Sequence, residues 1–333
     1  MVTAAVMGAG SWGTAFSVVL ADAGHDVHLW GRRQETCDNV NQRHENTEYL
    51  PDLELPTTIR ATTDPAEALA GAEIVVLAVP SQTLRTNLES WGTLIEPSAV
   101  MVSLMKGVEL GSHLRMSEVI ADVTGAGPER IAVISGPNLA KEIAQREPAA
   151  SVVACADEAV ALQLQKYCHT AAFRPYTNTD VVGCELGGTV KNIIGLAVGV
   201  CDGLGYGDNT KASVITRGLA ETARLGMAMG ADPMTFMGLA GLGDLVATCS
   251  SPLSRNRTFG EKLGRGMTVE EITSGTRQVA EGVKSCTSVA ELSEMHGVDM
   301  PIVEHVRALV DGNMTPLELV NALISRSAKA ETR

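Results

Sequence analysis

Gly8-Ala9-Gly10-Ser11-Trp12-Gly13 is the first cluster in the chain whose spacing implies chemistry. It follows a short, largely apolar run, Thr3 to Met7, and precedes a helical run from Thr14 to Ala23 that Gly24 closes. A G-x-G-x-x-G pattern alone means little, but between a strand and a helix it is a dinucleotide-binding fingerprint. Gly8 allows the tight turn, Gly10 lets a pyrophosphate approach the backbone, and Gly13 lets the helix pack close to the strand. The helix then offers its unpaired N–H groups to phosphate. Val27 to Trp30 reads as the second strand, and Gly31-Arg32-Arg33 follows it with no acidic residue. An NAD-selective site usually has Asp or Glu there, whereas arginine accommodates a 2′-phosphate. NADP(H) is therefore expected to be accepted. If both arginines are simply solvated, NAD(H) serves equally well.

Further along, single residues stand out. Lys191 lies inside Val181 to Val200, a stretch apolar nearly all round. A lysine there must snorkel, form an ion pair or have a function, and desolvation lowers a lysine's pKa towards that of a general base. Lys106, in Lys106-Gly107-Val108-Glu109, follows a probable strand. It suits an anionic substrate, or is a surface loop lysine. Ser254-Arg255-Asn256-Arg257 packs two guanidiniums, an amide and a hydroxyl together, which makes either a phosphate clamp or a solvated helix start. Asp244 follows the glycine-rich Gly241-Leu242-Gly243 and reads as a site residue or an N-cap.

The elements that must position these residues are legible in outline. Ile74 to Val79, Val100 to Ser103, Ile131 to Ser135, Ser151 to Cys155 and Phe173 to Thr177 read as strands separated by helical stretches. Such alternation predicts a Rossmann-like, doubly wound parallel sheet, with ligands at the carboxyl ends of the strands. Pro80-Ser81, Met105-Lys106-Gly107 and Gly136-Pro137-Asn138 would lie on that edge. The alternation stops near Asn178, and the remainder reads as helical. The expected organisation is an α/β dinucleotide-binding domain over 1–178 and an all-α substrate and catalytic domain over 179–333.

Composition narrows the function classes. The chain has 333 residues, with 26 Lys and Arg against 39 Asp and Glu, for a net charge of −13. Nucleic-acid binding is not expected, because polyanions are held by surplus positive charge. Aromatics at 3% leave few stacking platforms for bases. The seven cysteines are scattered and form no C-x-x-C pair, which predicts neither a disulfide framework nor a cysteine-rich zinc site and fits a reducing cytosol. Met1 to Ala21 is uncharged, but it lacks a basic leader and is interrupted by glycines. Neither a signal peptide nor membrane insertion is expected, and the chain is read as cytoplasmic.

Together these segments resemble the bacterial-type NAD(P)-dependent sn-glycerol-3-phosphate dehydrogenases. The similarity runs through GAGSWGTA, YLPDLELP, KGVE, ISGPNLAKEIA, ELGGTVKNIIGLAVGV, GLAGLGDLVATC, SRNRTFG, VAEG and MPIVE, in that order along nearly the whole chain. The resemblance implies interconversion of sn-glycerol 3-phosphate and dihydroxyacetone phosphate with NADP(H) or NAD(H), supplying glycerol phosphate for phospholipids. It implies cofactor contacts at Ser11, Trp12, Arg32, Arg33, Tyr49, Lys106, Ala140, Arg255, Val279 and Glu281. It implies substrate contacts at Lys106, Gly136, Asn138, Asp244, Ser254, Arg255 and Asn256, and the proton acceptor at Lys191. It also implies a homodimer. Asn138 departs from the Ser or Thr common in the family at that position. On this reading the Lys191 ammonium must meet, across an interdomain cleft, the dinucleotide held by the front half. The rival readings are a two-domain NAD(P)-dependent hydroxy-acid dehydrogenase or reductase, and a non-catalytic dinucleotide redox sensor.

Overall fold

The computed structural model describes residues 1–275 and 280–324. The strands are β1 (Thr3–Met7), β2 (Asp26–Trp30), β3 (Glu45–Asn46), β4 (Leu50–Glu54), β5 (Ile59–Thr62), β6 (Ile74–Leu77), β7 (Val100–Ser103), β8 (Ile131–Ser135), β9 (Ala149–Cys155) and β10 (Phe173–Asn178). Eight of them form one sheet in the order β10-β9-β8-β7-β6-β1-β2-β5, while β3 and β4 make a separate hairpin. Within the large sheet, β5-β2-β1-β6-β7-β8 reproduces the doubly wound dinucleotide-binding order, which reverses between β1 and β6.

The inner strands form because their residues are buried on both faces. Ile74–Leu77 and Ile131–Ser135 are buried throughout, so an unbroken apolar run satisfies both layers of covering helices. The sheet is not wholly parallel, as the alternation predicted. β9 runs antiparallel to β8, and β10 parallel to β9. Burial alone could not give that direction, since Ser151 to Cys155 is as apolar as its parallel neighbours. β5 escaped prediction because it is an edge strand of alternating burial, with Ile59 and Ala61 inward and Arg60 exposed.

The first helix also begins earlier than expected, at Ser11 rather than Thr14, with Gly10 as its N-cap. Thr14 N–H donates to Gly10 O at 2.9 Å, so the second half of the glycine loop is already the first helical turn. In the helical remainder, the long helix after Val181–Gly203 spans Asp208–Ala228.

By compactness the chain divides into two units. The first comprises Met1–Gly188 and Ala231–Asp244, and the second Thr189–Gly230 and the residues from Leu245 on. The sheet ends at Asn178, yet the first unit reaches Gly188 and regains Ala231–Asp244. The reason is a small apolar cluster in which Cys184 and Ala240 pack on Val152 and Ala154 of β9. Glu185 ties the same stretch down. It accepts hydrogen bonds from Ser117 N and Oγ and from Arg115 Nη1.

The helix Val181–Gly203 therefore serves both units. It is the one helix among the described residues long and apolar enough to cross a membrane, and 89% of that window is buried inside the protein. In the second unit Gly199 and Gly203 lie one turn apart on this helix. A Cβ on Gly199 would sit 2.0 Å from Arg257 O, and one on Gly203 2.3 Å from Glu261 O. Gly260 answers from the facing helix Arg255–Gly264, where a Cβ would lie 2.1 Å from Leu196 O. The two helices thus touch backbone to backbone, which fixes the last two turns of Val181–Gly203 along the helix Arg255–Gly264. Gly199→Ala should cost about 3 kcal/mol or more, the upper end for overpacking. A urea denaturation midpoint equal to wild type would show that this contact can relax freely.

Candidate active site

The glycine loop sits at the switch point of the sheet. Gly8 has φ +134°, and a Cβ there would lie 2.5 Å from Ala78 O, just beyond β6. Gly13 is pressed against the loop from below, its missing Cβ falling 1.9 Å from Gly8 O. Gly10 is different, since a Cβ there would meet nothing within 4 Å. The close contacts therefore hold the loop, while Gly10 leaves its outer face open to an approaching ligand. The helix behind it has no side-chain cap and no acidic residue in its first turn, so its N–H groups keep their positive potential. Trp12 Nε1 is buried with no hydrogen-bond partner. This cradle fits a pyrophosphate.

A hairpin braces the cradle. Asn46 Nδ2 donates to Ala9 O at 3.0 Å and to Thr14 Oγ1 at 2.8 Å, and Ser11 Oγ donates to Tyr49 O at 3.3 Å. Arg32 and Arg33 follow β2, and both are exposed. Arg33 pairs with Glu48, which raises its pKa, and its guanidinium lies 5.8 Å from the centre of the Tyr49 ring.

Lys106, beyond β7, is held from two sides. Its Nζ donates to Asp244 Oδ2 at 2.6 Å and to Gly136 O at 3.1 Å. Asp244 is 1% exposed and is reached through a π-helical turn, Leu239–Gly243, of the kind that often marks functional positions. Gly188 makes room for the Lys106 side chain and for Ser135, because a Cβ there would come within 2.8 Å of Ser135 Oγ and 3.4 Å of Lys106 Cγ. Gly136 adopts φ +145°, which only glycine takes readily. Asn138 Nδ2 donates to Ser151 Oγ at 3.1 Å, while Asn138 Oδ1 and Ser135 Oγ are buried without partners. Ala140 opens the short helix Ala140–Ala144 on the same edge.

In the second unit Lys191 is 8% exposed and its Nζ donates to Thr248 Oγ1 at 2.6 Å. Its neighbour Asn192 accepts from Asn256 Nδ2 at 2.9 Å, and Asn256 Oδ1 in turn accepts from Gly282 N at 2.9 Å. Ser254 caps the helix Arg255–Gly264 by accepting from Arg257 N. The two guanidiniums of this segment part company. Arg257 binds Asp202 at 2.6 Å, whereas Arg255 projects from the helix start. Desolvation by its neighbours lowers the Arg255 pKa, against the opposing pull of the Glu281 charge. Val279 lies outside the described residues.

Sequence reasoning missed Thr248, Ser135, Ser151, Asn46 and Glu48. One signal was available for Thr248. It stands four residues after Asp244 on the helix Asp244–Ser250, hence on the same face.

A phosphate cradle at the switch point of a doubly wound sheet, with lysines set among hydrogen-bonding partners, places the protein among the dinucleotide-dependent dehydrogenases. Comparison with known proteins narrows the class. Residues 3–161 match the N-terminal model of NAD-dependent glycerol-3-phosphate dehydrogenase, and residues 180–321 match the C-terminal model. The glycerol-3-phosphate dehydrogenase [NAD(P)+] of Streptomyces griseus is 67% identical over 332 residues, covering 100% of this chain and 99% of its own. That of Thermobifida fusca is 61% identical, with 99% of each chain covered. The crystal structure of glycerol-3-phosphate dehydrogenase from Coxiella burnetii superposes with a TM-score of 0.93 at 37% identity, covering 98% of this chain and 99% of that one. The chain belongs to the NAD-dependent glycerol-3-phosphate dehydrogenase family.

The Lys191–Thr248 bond is directly testable. Thr248→Val keeps the shape and removes the acceptor of a buried ammonium. Turnover should fall about 10- to 100-fold, as expected when a buried charged group loses a partner. Stability should fall by about 1–3 kcal/mol, the cost of a buried donor that loses an acceptor. Turnover equal to wild type would reduce the hydroxyl to a packing group.

Proposed function

We propose that the protein interconverts sn-glycerol 3-phosphate and dihydroxyacetone phosphate. In the cytoplasm it would run as a homodimer, chiefly in the reductive direction, supplying glycerol phosphate for phospholipids. The nicotinamide cofactor, when bound, donates or accepts the hydride at C2 of the substrate. The remaining work falls to the protein's own side chains. Lys191 Nζ takes the proton of the C2 hydroxyl in oxidation and returns it in reduction, held in aim by Thr248 Oγ1. Asp244 fixes the Lys106 ammonium, whose remaining N–H group is left for an anionic or carbonyl oxygen. Ser254, Arg255 and Asn256 open a helix, so the substrate phosphate meets both a guanidinium and a helix N-terminus.

The observation that carries this reading is the hydrogen bond between Asn192 and Asn256. It joins the residue beside the proton-transferring lysine to the residue beside the phosphate-binding arginine. The separation between those two functions is thereby fixed, and a substrate anchored by a remote phosphate would present its carbinol to Lys191 in one orientation.

The decisive assay follows the nicotinamide absorbance band with dihydroxyacetone phosphate and each reduced cofactor. Lys191→Ala should lower kcat by about 10³-fold or more, within the range for loss of a general acid–base group, while still binding cofactor. Arg255→Ala should chiefly raise KM for dihydroxyacetone phosphate. Near-normal kcat in the first variant removes Lys191 from the chemistry, and an unaltered KM in the second removes the phosphate clamp.

A further inference from the structure

Arg32 and Arg33 stand where a chain selective for NAD would carry an acid. The acid is present, but it arrives from another element. The β3–β4 hairpin turns at residues 47–49, and there Glu48 forms its ion pair with Arg33 while the Tyr49 ring backs the same guanidinium. The hairpin is not a loose arm. Asn46, only 2% exposed, binds it to Ala9 O inside the glycine loop, and Leu55 N closes it by donating to His44 O at 2.7 Å. Glu48 is thus fixed relative to the cradle that would hold the pyrophosphate. Arg32 is exposed and, among the described residues, has no carboxylate partner.

We propose that Glu48 is a cofactor-selecting residue, which occupies Arg33 and sets a negative charge beside the 2′-position of the adenosine ribose. A 2′-phosphate carries about −1.5 to −2 charges near neutral pH, so it must displace Glu48 from Arg33 or lie beside it. An uncharged ribose diol meets no such repulsion, and a carboxylate accepts its hydrogen bonds. Arg32 remains to receive the phosphate. The site therefore takes both cofactors, and the Glu48–Arg33 pair sets the ratio between them. The inference rests on the dinucleotide reading of the glycine cradle.

The test is fluorescence titration of the full chain with NADH and with NADPH, read as Kd and independent of turnover. Glu48→Gln should raise the NADPH preference, the ratio Kd(NADH)/Kd(NADPH), by about three- to tenfold at low salt, the size expected for one exposed charge a few ångströms away. The gain should shrink as ionic strength rises. Arg33→Ala should cost more NADPH affinity in the Glu48→Gln background than in wild type, because Glu48 no longer neutralises the guanidinium. An unchanged ratio overturns the inference. So does a fall, since it would make Glu48 a support that aims Arg33 at the phosphate. If wild type binds neither nucleotide, the dinucleotide reading fails and takes this inference with it, an outcome plainly distinct from binding with an unaltered ratio.

Discussion

A 23-residue helix buried along nearly its whole length is the constraint on which the rest depends. Such burial leaves no room for ordinary side chains wherever a neighbouring backbone must come close. Val181–Gly203 meets the demand with glycines, and each unit uses its own set. In the first, Gly187 admits the backbone of Ala240, and Gly188 admits the side chains of Ser135 and Lys106. In the second, Gly195, Gly199 and Gly203 admit Thr248 and the backbone of helix Arg255–Gly264. Close packing raises the cost of any polar group left alone. Glu185, Lys191 and Asn192 are each buried on this helix, and each has a specific partner: Arg115 and Ser117, Thr248, and Asn256. The chemistry is positioned by the same tightness that makes the helix possible.

Charge is handled with comparable economy. A protein of net charge −13 that binds a dinucleotide and a phosphate ester needs local cations, and three of the candidates have an acid in attendance. Lys106 has Asp244, Arg33 has Glu48, and Arg255 feels Glu281. An attendant carboxylate fixes the direction of a cation and moderates its grip. That suits an enzyme whose anionic ligands must leave after each turnover, because uniform tight binding lowers KM without raising kcat.

What could be read from the sequence follows from the range over which each constraint acts. The glycine loop is legible because its demands are local: a positive φ at Gly8, a close approach at Gly13, an open face at Gly10. The inner strands are legible because burial on both faces writes a dense apolar run. β5 is not, because burial on one face of a short edge strand leaves only Ile59 and Ala61 as signal. The direction of β9 is not, because both faces are buried whichever way it runs. Partners are hardest of all. Thr248 lies 57 residues from Lys191, and Glu48 lies 15 from Arg33 across a turn whose register the sequence does not reveal. Arg255 and Arg257 look equivalent in the chain, yet Arg257 pairs with Asp202, far off in sequence, and with Glu261, while Arg255 feels Glu281.

Asn138 shows how the same logic bears on a departure from the family pattern. A carboxamide where Ser or Thr is common brings an extra acceptor into a buried place. Its Nδ2 is satisfied by Ser151 Oγ, which itself donates to Ser135 O, so the amide cannot flip without breaking this chain. Oδ1 is therefore held as an unpartnered acceptor, with Ser135 Oγ as a second unpaired group on the adjoining strand end. Unpaired buried polar atoms cost about 1–3 kcal/mol each, a cost that a ligand donor or an ordered water removes. A substrate with hydroxyl groups along a three-carbon backbone brings such donors. The departure from Ser or Thr thus changes which polar atom stands at this strand end, a carbonyl oxygen in place of a hydroxyl.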